Sequence, residues 1–112
     1  MARRVNVVES IRRYISRNSD GVMKKIVVVI LRELTSGSKT TSELHLKVIT
    51  ELKEPVKIGL VRYVLRKLEK KGVVRFESLL FTRSLLWSLN LSKKEIEELQ
   101  RLLEKTSSPR SS

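Results

Sequence analysis

The chain has 112 residues, of which 40% are hydrophobic, so it is long enough for one compact domain and too short for two. It contains no cysteine and one histidine, His45, which excludes disulfides, thiolate zinc sites, cysteine nucleophiles, histidine metal sites and catalytic triads. The formal net charge of +12, from 24 basic and 12 acidic residues, is typical of proteins that bind a polyanion, with nucleic acid the first candidate and an anionic membrane the second.

Three further features bear on location and chemistry. The longest apolar run, residues 26–31, is far shorter than a membrane span, and the N-terminus lacks the apolar core of a signal peptide. We therefore expect a cytoplasmic protein that is not a membrane protein. No Gly-rich phosphate loop, zinc-ligand spacing or serine elbow is present, so we expect no enzyme, no cofactor and no metal. Many Lys, Arg and Glu residues beside few Asn and Gln weakly favour a hot habitat.

Two helices are predicted in the first third of the chain. The first covers residues 5–17, where apolar residues recur at helical spacing. Ahead of it, Arg3 and Arg4 form either a basic arm that reaches phosphate or a minor groove, or a solvated terminus. The second helix covers residues 23–34. A buried strand over residues 26–30, all of them β-branched, is the alternative, and the length of the helical stripe favours the helix.

A capping box opens the third helix. Thr40 is followed three residues later by Glu43, and in this pattern each side chain accepts a hydrogen bond from the other residue's backbone N–H. The apolar stripe that follows extends the helix to about Leu52. Residues 53–55 end it, because the residue before a proline is disfavoured in helical geometry. His45 lies on this helix and is expected to be a neutral side chain at or near the surface.

Residues 55–74 are the most informative stretch of the chain, and they predict one amphipathic helix. Pro55 suits its first turn, and Gly72 is a strong stop signal. Between residues 55 and 75 there are seven basic residues and one acid, Glu69. The apolar stripe consists of Ile58, Val61, Leu65 and Leu68, with Val64 beside it. One face therefore suits a core, and the other is basic enough to meet a polyanion.

Two strands are predicted next, over residues 73–77 and 85–89, with a loop between them. The loop has no glycine and carries three bulky apolar residues at positions 79–81. If they are exposed, they form an apolar patch better suited to protein contact than to a minor groove, and the alternative is that they fold back onto the core. Trp87 is expected to be a core residue of the second strand.

A second capping box, Ser92 with Glu95, opens a final helix over residues 91–105. Its apolar seam either packs on its own domain or pairs with a copy of itself, and the seam consists of Ile96, Leu99, Leu102 and Leu103. Residues 106–112 are polar and are predicted to be a disordered tail.

One stretch resembles the recognition helix and first wing strand of winged helix-turn-helix DNA-binding regulators, and it reads Val61-Arg62-Tyr63-Val64-Leu65-Arg66-Lys67-Leu68-Glu69-Lys70-Lys71-Gly72-Val73-Val74. The short capped helix before it and the two strands after it agree with the order of elements in that family. The small size, the lack of cysteine and the composition are similar to winged-helix regulators of archaea and their viruses. A viral member would act in the host cytoplasm.

The resemblance implies a fold and its division along the chain. The fold is α+β and mostly helical, a winged helix-turn-helix with a three-helix core and a two-stranded wing over residues 22–90. Residues 1–21 would add an N-terminal basic arm and helix. Residues 91–105 would add a C-terminal helix, which in this family often dimerises, and residues 106–112 would be the tail.

The family's pattern also implies which side chains would contact DNA. Arg62 is expected to read bases, because an arginine can bridge guanine O6 and N7 in the major groove. Other basic residues of the helix and wing, and hydroxyls at the start of the preceding helix, are expected to contact phosphate. Gly59 and Leu60 depart from the family's pattern, which commonly has polar residues there, so we expect a modest sequence preference. The full set of DNA-binding candidates is Lys57, Arg62, Tyr63, Arg66, Lys67, Lys70, Thr41, Ser42, Arg75 and Arg83.

Two functions from different classes are expected on these grounds. The first is a double-stranded DNA-binding transcription regulator that inserts its recognition helix into the major groove and forms a homodimer through the C-terminal helix or the apolar wing. The second is a winged-helix protein-protein interaction module in transcription or replication machinery, which uses the apolar wing and the last helix. RNA or membrane binding ranks lower, and aromatic residues, at 4%, are too few to stack single-stranded bases.

Overall fold

The computed structural model describes residues 7–17 and 21–107, which form five helices and three strands. In chain order these are α1 (Val7–Arg17), α2 (Gly21–Thr35), β1 (Lys39–Thr40), α3 (Thr41–Leu52), α4 (Ile58–Lys70), β2 (Val74–Ser78), β3 (Leu85–Leu89) and α5 (Lys93–Ser107). The mostly helical α+β class expected from the sequence is confirmed. The predicted basic arm and residues 108–112 of the predicted tail lie outside the described residues.

Helix α2 is the centre of the core. Seven of its residues are buried, including the whole run from 26 to 31, and the helix contacts α3, α4, α5 and β3. The alternative of a strand over residues 26–30 is therefore wrong. β-branched residues have lower helix propensity than leucine, but packing on several sides of α2 outweighs that small difference.

Helix α3 begins with the predicted capping box. The Thr40 hydroxyl oxygen accepts a hydrogen bond from the Glu43 N–H at 3.2 Å, and the Glu43 carboxylate accepts one from the Thr40 N–H at 2.8 Å. The helix ends at Leu52, as predicted. Lys53 takes a left-handed conformation with a φ of 57°, and its N–H donates to the carbonyl of Ile49.

Helix α4 begins at Ile58, and the expectation that Pro55 lies in its first turn is wrong. The intervening backbone is tied to the core and to α3 at Val56. This residue buries its side chain in the core, and its carbonyl accepts a hydrogen bond from His45 Nε2 on α3. Gly72 follows the end of the helix, as predicted, and its φ of 79° lies in the left-handed region that glycine tolerates best.

The two predicted strands form a hairpin, and a short third strand that the sequence did not indicate completes an antiparallel sheet of order β1-β3-β2. In the added strand, Lys39 lies opposite Trp87. The expected two-stranded sheet is therefore corrected to three strands, and β1 ties the hairpin to the start of α3. Trp87 is 1% exposed, which confirms its predicted place in the core, and its ring packs on Phe76 with 5.1 Å between the centroids.

Helix α5 packs within the chain. It contacts α1 and α2, and its seam residues Leu99 and Leu103 are buried. The predicted capping box is present, since Ser92 and Glu95 exchange hydrogen bonds of 2.8 and 3.2 Å. The helix continues to Ser107, two residues beyond its predicted end. The structure shows Leu99 and Leu103 of the seam packed on their own domain, and pairing of the helix with a copy of itself stays a prediction.

Candidate nucleic-acid interface

Helix α4 separates its apolar side chains from its basic ones. Val61, Val64, Leu65 and Leu68 are buried in the core. The side chains on the other face are exposed, and they are Arg62, Tyr63, Arg66, Lys67 and Lys70. Because these side chains are exposed, the terminal helix α5 does not cover them. The helical period thus leaves one open, strongly basic face.

Within residues 7–17 and 21–107, the basic side chains of α4 form no ion pair with a carboxylate. The ion pairs found there lie within α1, within α3, or between α2 and α3. Ion pairs therefore offset part of the positive charge on the first three helices but none of it on α4. An external anion would be the natural counterion for this face.

Three arginines converge between α4, the start of α3 and the hairpin, and we call this concavity the arginine cleft. Arg62 and Arg66 come from adjacent turns of α4, and Arg83 comes from the loop that leads into β3. The cleft has a volume of about 180 Å³. Its other lining residues are Thr41, Ser42, Ile58, Ser84, Leu85 and Trp87, so the described lining contains no acid.

Trp87 fixes the position of Thr41 in the arginine cleft. Its indole N–H donates to the Thr41 hydroxyl oxygen at 2.8 Å, which leaves the hydroxyl hydrogen to donate to a ligand. The side chain of Thr40 caps only the Glu43 N–H, so the backbone N–H groups of Thr41 and Ser42 have no partner within the helix. Hydroxyl and amide donors therefore meet the guanidinium groups at the positive end of the α3 dipole.

Tyr63 and Lys57 lie beside a different concavity. This groove is mainly apolar, and it is lined by Val22, Glu54, Pro55, Val56, Lys57, Gly59, Leu60 and Tyr63. The Lys67 ammonium lies 5.5 Å from the centroid of the Tyr63 ring, a cation–π contact. Lys57 is the N-cap residue of α4 and makes no side-chain capping bond. These three candidates form a second cluster beside the arginine cleft.

The last two candidates are placed apart from both clusters. Lys70 is exposed in the last turn of α4. Arg75 lies opposite Ser88 in the sheet, and because successive strand side chains point to opposite faces, it lies on the face away from Trp87. Of the ten residues predicted to bind DNA, the structure brings five into the arginine cleft, and these are Thr41, Ser42, Arg62, Arg66 and Arg83.

Sequence reasoning missed part of the arginine cleft. Ser84 and Leu85 line it because the hairpin register places Ser78 opposite Leu85. An Asn-Gly turn would have indicated the register, but residues 78–84 contain no such signal. Trp87 was predicted only as a core residue, and its contact with Thr41 joins positions 46 residues apart. Nothing in the local sequence indicates that contact.

Two kinds of site are not found in the described part of the chain. It has no group of three or more His, Asp or Glu side chains that could hold a metal ion. None of its helices combines the length and the apolar character needed to cross a membrane. Comparison with known proteins found no matching family model, no matching curated protein and no matching solved structure.

Proposed function

We propose that this protein is a winged-helix protein that binds double-stranded DNA and regulates transcription by occupying its site. From α2 to β3 the elements follow the order helix, strand, helix, helix, strand, strand, which agrees with a winged helix-turn-helix. In this proposal α4 is the recognition helix, the β2–β3 hairpin is the wing, and α1 and α5 are additions that pack on α2 or on each other.

The arginine cleft is the observation that carries the proposal. A guanidinium group presents paired N–H donors that match the oxygens of a phosphate, and charge-assisted hydrogen bonds of this kind are among the stronger ones in proteins. Three such groups meet the unpaired N–H groups at the start of α3, in a cleft whose described lining is free of acid. This combination suits a phosphate of the DNA backbone seated between α3, α4 and the wing.

The length of α4 suits the major groove. With 13 residues, it is about 20 Å long, at roughly 1.5 Å per residue. The major groove of B-DNA is about 12 Å wide and admits one α-helix. The first turn of α4 contains no acid, so its N-terminus can approach a backbone phosphate without repulsion.

We assign Arg62 to the DNA backbone, in place of the base-reading role expected from the sequence. Its side chain shares the arginine cleft with Arg66 and Arg83, where phosphate is the better ligand. Base edges would meet the exposed start of α4 near Gly59 and Tyr63. These two residues offer one hydroxyl between them, so phosphate contacts would supply most of the affinity and direct base reading would be modest.

Fluorescence anisotropy with a labelled duplex of about 20 base pairs tests the proposal, followed by selection of bound duplexes from a random pool. We expect duplex to bind more tightly than either of its single strands, because the aromatic residues needed for base stacking are scarce. A protein that binds neither form, or binds single strands as tightly as duplex, would contradict the proposal. The mass of the complex in solution gives the number of copies bound.

The protein-interaction module, which the sequence offered as the alternative, stays a prediction, as does the homodimer. Leu80 and Phe81 at the wing tip are exposed and accessible to a partner protein or a second copy. The α5 seam is not equally accessible, because Leu99 and Leu103 are buried within the chain. The wing tip is therefore the more accessible of the two surfaces for either kind of partner.

A further inference from the structure

The wing tip is the most exposed apolar feature of the described residues. Leu80 is 90% exposed and Phe81 is 98% exposed, whereas the next large apolar side chain, Leu46, is 65% exposed. Of the two alternatives that the sequence left open for residues 79–81, the structure shows exposure for Leu80 and Phe81, whereas Leu79 is half-buried. The Thr82 N–H donates to the Leu79 carbonyl at 3.4 Å and closes a turn. Leu80 and Phe81 are its two central residues, so both stand at the apex.

The turn itself gives no reason for these residue types. Glycine, asparagine, aspartate, proline and serine dominate central turn positions, because each either tolerates or favours the required backbone. Leu80 and Phe81 gain almost no burial at the apex, where exposed apolar surface is unfavourable in water. The hairpin thus presents a leucine and a phenylalanine to the outside, and a partner that buries them would account for their presence.

The wing tip lies next to the arginine cleft. Arg83 lines the cleft and follows Phe81 by two residues. Residues 78–84 contain no acid, so the tip carries positive charge only. A DNA backbone seated in the arginine cleft would therefore bring a groove of the same duplex against Leu80 and Phe81.

The small size of the apolar tip favours DNA over a protein partner. A stable protein interface buries about 800 Å² on each partner. One aromatic side chain buries only about 150–250 Å², so the tip supplies a fraction of that area. One or two apolar side chains do suffice to open a base step in DNA. The positive charge around the tip also matches a polyanion.

We propose that Leu80 and Phe81 form an apolar wedge that enters the minor groove, separates two stacked base pairs and bends the duplex. This inference rests on the proposed function, because the arginine cleft must first hold the backbone. Inserted side chains of this kind bend DNA by roughly 20–90°. Pyrimidine–purine steps unstack most easily, so the wedge selects sites with a TA or CA/TG step through deformability. It supplies the sequence preference that the start of α4 lacks.

Energy transfer between dyes at the two ends of a duplex with a central TA step tests the wedge. The parent protein is compared with Leu80→Ser/Phe81→Ser. Leu46→Ser is the matched control, because Leu46 is exposed on α3 and lines neither the arginine cleft nor the hairpin. We expect the parent and the control to shorten the end-to-end distance equally. The double variant should still bind, within about tenfold of the parent, and leave the duplex straight. Thermal unfolding by circular dichroism confirms that each variant is folded.

A fluorescent adenine analogue at the TA step gives a second measurement, since its emission should rise on unstacking with the parent and not with the double variant. A straight complex with the parent, or equal bending by the double variant, would overturn the wedge and leave DNA binding intact. Absence of any duplex binding by the parent would overturn the proposed function, and the wedge with it. If the duplex stays straight and the parent, but not the double variant, binds phosphatidylserine vesicles, the tip would be assigned to lipid. If the duplex stays straight and the parent, but not the double variant, self-associates, the tip would be assigned to a second copy.

Discussion

Within the arginine cleft, the side chain of Arg66 is exposed and comes from the middle of α4, so its removal should affect binding without affecting the fold. We expect Arg66→Glu to weaken duplex binding at least tenfold near physiological salt. Loss of one charge-assisted hydrogen bond costs about 1.5–3 kcal/mol, and about 1.4 kcal/mol corresponds to tenfold in affinity. Repulsion between the new carboxylate and phosphate adds to the loss. Anisotropy titration measures the change.

Arg101→Glu is the matched control for that variant. Arg101 is exposed on α5, so the substitution makes the same change in net charge away from the arginine cleft. We expect its effect on duplex affinity to stay within about threefold, because the charge is distant and screened by salt. Equal losses for the two variants would mean that only net charge matters, and that the cleft has no specific role.

Alanine substitution at two different glycines should change the free energy of unfolding in opposite directions. A Cβ atom added at Gly59 or at Gly72 would meet no heavy atom within 4 Å beyond the adjacent residues and the local helix backbone. Gly59 lies in the first turn of α4, so Gly59→Ala should raise the free energy of unfolding by about 0.5–1 kcal/mol. Gly72 has a φ of 79°, and Gly72→Ala should lower the free energy of unfolding by roughly 1–2 kcal/mol. Urea unfolding of the two variants measures both values.

Gly59→Ala also tests how closely DNA approaches α4. Packing within the chain does not require a glycine at this position, since the added methyl group would contact no other element of the protein. If a groove wall lies against the start of α4, the methyl group should weaken duplex binding while it stabilises the free protein. A variant that is more stable and binds equally well would show that the first turn stays clear of DNA.

At the level of single residues, the sequence indicated which charged residues belong to the site. It did not indicate which of them lie next to one another. Arg62 and Arg66 are four positions apart in an amphipathic stretch, and that spacing alone places them on neighbouring turns. The position of Arg83 depends on the register of a hairpin without a recognisable turn signal, and the sequence did not place it beside Arg62. Because the three arginines lie together, Arg62 is proposed to contact the DNA backbone and not the bases.

Among the structural elements, α3 and β3 are coupled by the hydrogen bond from Trp87 to Thr41. Thr41→Val keeps the shape of the side chain and removes the acceptor. Because Trp87 is 1% exposed, its indole N–H would be left without a partner, and the free energy of unfolding should fall by about 1–3 kcal/mol. Trp87 is the single tryptophan of the chain, so its fluorescence during urea unfolding reports the loss directly.

Thr41→Ser is the control, because serine retains the hydroxyl oxygen that accepts from Trp87. We expect this variant to keep most of the stability and of the duplex affinity. The valine variant should lose affinity as well, since a hydroxyl donor leaves the arginine cleft. Equal stabilities for the valine and serine variants would show that the hydrogen bond to Trp87 contributes little to the fold.

The elements themselves were predicted well where local chemistry specifies them. The capping boxes at Thr40 and Ser92 and the stop at Gly72 involve residues close in sequence, and each is present. The start of α4 and the existence of β1 were not predicted, because both depend on distant contacts. His45 donates a hydrogen bond to the backbone carbonyl of Val56 just before α4, and β1 exists only by pairing with β3. Tertiary contacts of this kind leave no local signal.

On the scale of the whole molecule, charge is distributed unevenly. The ion pairs of the described chain lie on α1, α2 and α3, whereas the basic face of α4 and the arginine cleft have none. The excess that gives a net charge of +12 is therefore concentrated in part on the surface that would meet DNA. Such an asymmetric field orients the protein before contact and raises the rate of productive encounter.

The salt dependence of duplex binding measures how much of this surface meets phosphate. About six contacts, from the three arginines of the cleft, Lys67, Lys70 and the N-cap residue Lys57, should release counterions, and the affinity should fall about a thousandfold between 50 and 200 mM salt. Arg66→Gln and Lys67→Gln should each reduce the slope of log affinity against log salt by about 1. Lys94→Gln, on the exposed surface of α5, should leave the slope unchanged. A nearly flat dependence would mean that the basic face of α4 does not contact the backbone, whereas equal slopes for all three variants would place the contacts elsewhere on the protein.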